Sequence, residues 1–148
     1  MQEQRGFTVM EVLITLLILS VLAGLAIPNL FKHVADRQLE DAARLLASDI
    51  RYLQQLSVNS PPGKYYHMFF RNGSPYGYYI TSSTIAVKSV RFDNSVELRV
   101  PPGYVAFSAS GAPQSGYSIT LRSNKTKKLK YVLVEGAIGR VRISDKTD

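Results

Sequence analysis

Hydrophobic and polar residues follow three successive patterns along this chain. From Phe7 to Phe31 the sequence FTVMEVLITLLILSVLAGLAIPNLF is apolar apart from one ionisable side chain, Glu11, and a few small polar residues. At about 1.5 Å per residue, a helix of that length crosses a hydrocarbon core of about 30 Å. The apolar residues Phe31, Ala35, Leu39, Ala42, Leu46, Ile50, Leu53 and Leu56 recur at steps of three and four, which places them on one helix face. Asp36, Arg37, Glu40, Asp41, Arg44 and Arg51 are left for the other faces. The two patterns predict one helix of about 50 residues, membrane-embedded over 7–31 and amphipathic over 32–60. Pro28 lacks a backbone donor and, with Gly24, is expected to bend or locally melt it. Asn59-Ser60-Pro61-Pro62-Gly63 ends it.

The third pattern, over 61–148, is of short strands between turn signals. Tyr65–Phe70, Tyr78–Thr81, Ile85–Phe92 and Val96–Val100 are predicted first, with turns at Asn72-Gly73-Ser74-Pro75 and Asp93-Asn94. Pro101-Pro102-Gly103 leads into Tyr104–Ala109, and Gly111–Gly116 turns the chain into a strand that alternates Tyr117, Ile119 and Leu121 with polar residues. A lysine-rich loop, Asn124–Lys128, precedes Leu129–Val134, and Ile138–Ser144 is the last predicted strand. The amphipathic helix stripe needs a cover and the strands supply one. The expected fold class is therefore α+β, one long N-terminal helix packed under antiparallel sheet.

Composition narrows the chemistry. The chain of 148 residues has no cysteine, which excludes disulfides, thiolate metal sites and a cysteine nucleophile. His33 and His67 are the only histidines and have no partners at spacings that suggest a triad or a zinc site. No glycine-rich phosphate loop or calcium-type Asp/Asn ladder is present, so no enzyme activity and no cofactor are implied. The net charge of +7 is uneven. Residues 32–60 balance, whereas 122–148 carry eight basic side chains against Glu135, Asp145 and Asp148. Such an end favours a polyanion or serves as a solubilising surface.

Glu11 is the anomaly. A carboxylate in a membrane span costs roughly 2.5–3.5 kcal/mol on insertion scales and needs a partner. A cleavable secretory signal ending at Ala23–Ala26 would have to tolerate Glu11 in its apolar region, and a plain membrane anchor gives it no purpose. The polar leader MQEQRG, followed by Phe7 and by Glu11 four positions on, resembles the class III signal of type IV pilins and type II secretion pseudopilins. Pro28 sits where many members of that family carry a kinking proline. The resemblance implies that residues 1–6 are a leader, cut by a prepilin peptidase between Gly6 and Phe7, with Phe7 then N-methylated. It further implies that Glu11 neutralises the Phe7 amine of a neighbouring subunit during assembly. A buried anion is tolerated when a cation comes within about 4–6 Å.

The C-terminal half resembles the GspH/FimT type of minor pilin, through Val105–Leu121 (VAFSASGAPQSGYSITL) and Lys130–Ile143 (KYVLVEGAIGRVRI). This resemblance implies a single-pass inner-membrane protein with its globular domain outside the cytoplasm. Its partners would be sibling pilins, the prepilin peptidase and the assembly platform. Such a subunit helps initiate or cap a pilus or a secretion pseudopilus; a major pilin of the shaft stays open as an alternative. A DNA receptor at the filament tip is the other alternative. It rests on the Gly139-Arg140-x-Arg142 ending, whose arginines would share one face of a strand, and on Lys125, Lys127, Lys128 and Lys130 if the last two strands are neighbours. The aromatic group Tyr65, Tyr66, Phe69, Phe70, Tyr76, Tyr78 and Tyr79 invites a base-stacking reading, but packing of a small sheet is the expectation.

Overall fold

A computed structural model of the chain describes residues 8–99 and 101–146, and within its helix the side chains of all residues but Leu25, Ala26, Pro28 and Asn29. The leader, Gly6 and Phe7 lie outside the described residues, as does Val100. The chain divides into two units, Met1–Val34 and Ala35–Asp148.

Helix α1 runs from Val9 to Val58, 50 residues. Thr8 caps it: its Oγ1 accepts from the Glu11 backbone N–H at 3.2 Å, and its carbonyl accepts from the N–H groups of Glu11 and Val12. Thr8 and Glu11 occupy the Ncap and N3 positions of a T-x-x-E capping pattern. The helix continues through Gly24 and Pro28. At the other end the Asn59 N–H closes on the Gln55 carbonyl, and Gly63 turns the chain at φ +83°.

In the first unit every described side chain from Val9 to Val34 is exposed, Val9 by 78 %. Phe31, expected on the buried stripe, is 57 % exposed; burial begins one turn later, at Ala35. Among the described residues no helix is long and apolar enough to cross a membrane. The continuous stretch with described side chains, Val9–Gly24, amounts to about 24 Å of helix against a core of about 30 Å.

In the second unit the helix stripe is the core. Ala35, Leu39, Ala42, Ala43, Leu46, Ala47, Ile50 and Leu53 are buried, with Leu56 partly so. Among the described residues eight strands cover them: β1 Tyr66–Arg71, β2 Gly77–Ser82, β3 Ile85–Arg91, β4 Val96–Arg99, β5 Tyr104–Val105, β6 Tyr117–Ser123, β7 Leu129–Val134 and β8 Val141–Ser144. They form two four-stranded sheets, in the orders β3-β2-β1-β5 and β4-β6-β7-β8, and every pairing is antiparallel. Met68, Tyr78 and Ile80 from the first sheet and Leu98, Ile119, Leu121 and Val132 from the second close over the helix in one hydrophobic cluster. Alternation within each strand supplies these residues, since successive side chains point to opposite faces.

Two predicted strands are shorter than expected. Tyr104–Ala109 yields only β5, because the Ser108 and Gly111 N–H groups bond to the carbonyls of Ala112 and Ser108, turning the chain at Gly111 (φ +81°). The last strand starts at Val141 rather than Ile138. The Glu135 N–H bonds to the Arg140 carbonyl and the Gly139 N–H to the Glu135 carbonyl, so residues 135–140 form a tight turn.

Candidate functional site

The basic C-terminal end is partly neutralised from within. Lys128 Nζ lies 2.6 Å from Asp36 Oδ2, whose other oxygen accepts from Thr126 Oγ1 at 2.7 Å. Lys130 Nζ bridges Glu40 Oε2 at 2.7 Å and Asp145 Oδ1 at 2.6 Å. Glu40 also accepts from Arg44, one helical turn on, at 3.1 Å. The hydrogen bond from Lys130 holds the Glu40 carboxyl below its usual range despite partial burial, with Arg44 adding to the effect. Reciprocally, Asp145 first and Glu40 second raise Lys130. Arg122 approaches Glu97 at 3.8 Å and Arg142 approaches Glu135 at 3.5 Å. Lys125 contributes to keeping Asp93 low, behind the Ser95 backbone N–H that bonds that carboxylate at 2.8 Å. Lys127 holds the left-handed position of the β6–β7 turn at φ +61°.

Strands β7 and β8 are neighbours, as the wider basic surface required, and they pair Tyr131 with Ser144 and Val134 with Val141. The antiparallel register puts Lys130 at one end of β8 and Arg140 at the other, about 17 Å apart along the strand. Arg140 precedes the strand, so the alternation argument for a face shared with Arg142 does not govern it. Arg140 is exposed and Arg142 is half-buried. Gly139 is buried at φ +68°, and an added Cβ there would sit 2.6 Å from Gln54 Nε2 and 2.8 Å from the Gly111 carbonyl oxygen. It makes the turn that presents Arg140; its own surface faces protein.

The aromatic group divides by strand alternation. Tyr78 is fully buried, and Tyr66, Phe70 and Tyr76 pack against the core. Tyr65 is exposed, while Phe69 and Tyr79 lie half-buried on the opposite sheet face. Sequence reasoning passed over Asp49, which is 4 % exposed on α1. It accepts from the Tyr78 hydroxyl at 2.7 Å and from Lys88 Nζ at 2.6 Å, tying the helix to β2 and β3. Burial first, then the hydrogen bond and charge of Asp49, hold the Tyr78 phenol far above the usual tyrosine range, so it stays a donor. The available signal was Asp49's position between Leu46, Ile50 and Leu53 on the apolar stripe.

Glu11 is exposed in the first turn of α1, among exposed Val9, Met10, Val12, Leu13 and Ile14. Residues 1–27 match the family model described as the prokaryotic N-terminal methylation motif. That motif, together with a long N-terminal helix whose second part packs against antiparallel sheets, supports a type IV pilin-like or pseudopilin-type protein. The chain is similar to type II secretion system core protein G of Klebsiella pneumoniae, 55 % identical over 40 residues that cover 26 % of this chain and 29 % of that protein. The same protein of Pectobacterium carotovorum is 54 % identical over 38 residues, 24 % of either chain. The match therefore spans less than a third of the length of these relatives. In fold, the chain is similar to the type IV minor pilin FimU of Pseudomonas aeruginosa. One crystal form gives a TM-score of 0.56 at 14 % identity over 72 % of this chain and 92 % of that one, and a second form gives 0.58.

Proposed function

We propose that this chain is a subunit of a type IV filament, a pilus or a type II secretion pseudopilus, cut between Gly6 and Phe7, N-methylated on Phe7 and assembled through α1. The observation that carries this reading is the surface of Val9–Val34. Its side chains are mostly apolar, and the described ones are all exposed, with Glu11 the single ionisable group before Lys32. Exposed apolar surface of that extent marks a partner or a lipid phase. A membrane span over 7–31 supplies the lipid before assembly, and the helices of sibling subunits supply the partner afterwards. Glu11 then meets the Phe7 amine of a neighbour, and the pair stabilises only the register that brings both charges together. The subunit is of the minor kind that starts or caps a filament, a reading supported by the C-terminal resemblance to GspH/FimT-type proteins. Prepilin peptidase and the assembly platform are its processing and assembly partners.

Intact mass spectrometry of membrane-extracted protein tests the processing. The expected mature chain begins at N-methyl-Phe7; a start near Ile27, or an uncut Met1, overturns the reading. Duplex DNA binding at the C-terminal end, the second reading, narrows to exposed Arg140 with support from Lys127. Lys128, Lys130 and Arg142 are already engaged with carboxylates.

A further inference from the structure

The outer face of the first sheet carries a row of rings beside a pair of arginines. Met68, Tyr78 and Ile80 point into the core, so Phe69, Arg71 and Tyr79 occupy the other face. The register sets Phe69 beside Tyr79 on β2 and Tyr104 on β5. The Phe69 and Tyr79 rings stack with centroids 5.6 Å apart at 25°, and Phe69 and Tyr104 lie 6.0 Å apart. Tyr104, at the end of this row, is 42 % exposed.

In the next row Arg71 and Arg91 flank Gly77. A Cβ on Gly77 would overlap the Val90 carbonyl oxygen, so bare backbone separates the two guanidinium groups. Arg71 lies over the Tyr79 ring at 5.4 Å and reaches Ser89 Oγ at 3.4 Å. Among the described residues neither arginine has a carboxylate partner. The chain carries no acidic residue between Asp49 and Asp93, and Asp49 is engaged inside by Tyr78 and Lys88. Lys128 and Lys130 at the C-terminal end are neutralised by carboxylates; this face is not.

We infer that this face binds single-stranded nucleic acid, with an unpaired base stacking on exposed Tyr104 beside Phe69 and phosphates held by Arg71 and Arg91. Rings accept any base through its π-face, and guanidinium groups offer phosphate a planar fork of donors. The two rows stand two residues apart on the same strands, about 7 Å, comparable with the reach from a base to its own phosphate. A duplex hides its base faces and cannot use the rings. A neutral glycan could stack on them but would leave both arginines without a counter-charge.

The test uses the full-length protein in detergent micelles and a fluorescently labelled oligothymidylate, followed by anisotropy across a salt series. Binding is expected at low salt, with a duplex of equal length weaker. R71Q/R91Q should weaken it and reduce the log–log salt slope by about 1.4, roughly 0.7 for each phosphate no longer neutralised. Tyr104→Leu, at an exposed position, should weaken binding about fivefold or more with the slope unchanged. No binding at low salt overturns the inference, as does equal or tighter duplex binding. Displacement by a neutral oligosaccharide overturns it in favour of a glycan site. Binding lost in Arg140→Gln but kept in R71Q/R91Q moves the site to the C-terminal turn.

Discussion

Replacing Asp49 by alanine removes the acceptor shared by Tyr78 and Lys88 at the junction of α1 with the first sheet. The Tyr78 hydroxyl is buried and has no route to water, so leaving it unsatisfied costs about 1–3 kcal/mol. The Lys88 side chain is 39 % exposed and re-solvates, adding less than about 1 kcal/mol. Alanine favours the helix over aspartate by up to about 0.7 kcal/mol, which offsets part of the loss. The net destabilisation expected is about 2 kcal/mol, or a fall in Tm of about 5–10 °C for a unit of this size. Tyr78→Phe should cost about 1 kcal/mol, because Asp49 keeps Lys88. The double variant D49A/Y78F should cost less than the sum, since neither change then strands a buried partner. Thermal unfolding of the detergent-solubilised chain, read from tyrosine near-UV circular dichroism, measures all three. A D49A variant within about 0.5 kcal/mol of the parent, or strict additivity in the double variant, would refute the argument. The consequence reaches the outer face: a one-residue slip of β2 would exchange Tyr78 and Tyr79 between core and solvent, and the bond to Asp49 opposes it.

The same geometry carries four more expectations. Glu11→Ala should leave cleavage and membrane insertion intact while filament incorporation, blotted from sheared filaments, drops sharply; normal incorporation contradicts pairing with the Phe7 amine. Because Lys130 lowers the Glu40 pKa in the fold, that stabilisation is complete above the ordinary value of 4.5 and fades as pH falls through the lower folded value. The parent's Tm should therefore fall more steeply below that pH than that of Glu40→Gln, measured by the same melts. Gly139→Ala should cost at least about 2 kcal/mol in those melts, from the left-handed backbone together with the approach to the Gly111 carbonyl. Arg140→Gln should abolish most of any duplex DNA affinity in a low-salt titration; retention of that affinity removes the C-terminal reading.

Much of this protein could be read along the chain, because the deciding interactions are local or periodic. A 3.6-residue period from Ala35 to Leu53 and strict alternation at Val96–Arg99 and Tyr117–Leu121 fix which faces are buried whatever covers them. Pro61-Pro62-Gly63 and Pro101-Pro102-Gly103 fix where the chain must turn. The methylation motif lies within residues 1–27 and needs no fold to be recognised. Charge was different. Residues 122–148 look strongly basic in sequence, but Asp36, Glu40 and Glu97, far back along the chain, come to meet Lys128, Lys130 and Arg122. Sequence order also suggested that Arg140 continues the strand of Arg142, until the turn held by Gly139 and the Glu135–Arg140 backbone bonds removed it. The aromatic stretch 65–79 could not be divided into core and surface without the β1–β2 register, which sends Tyr78 to Asp49 and Tyr79 to Phe69. Ion pairs and cross-strand neighbours depend on which distant segments meet, and only the packed sheets on the helix decide that.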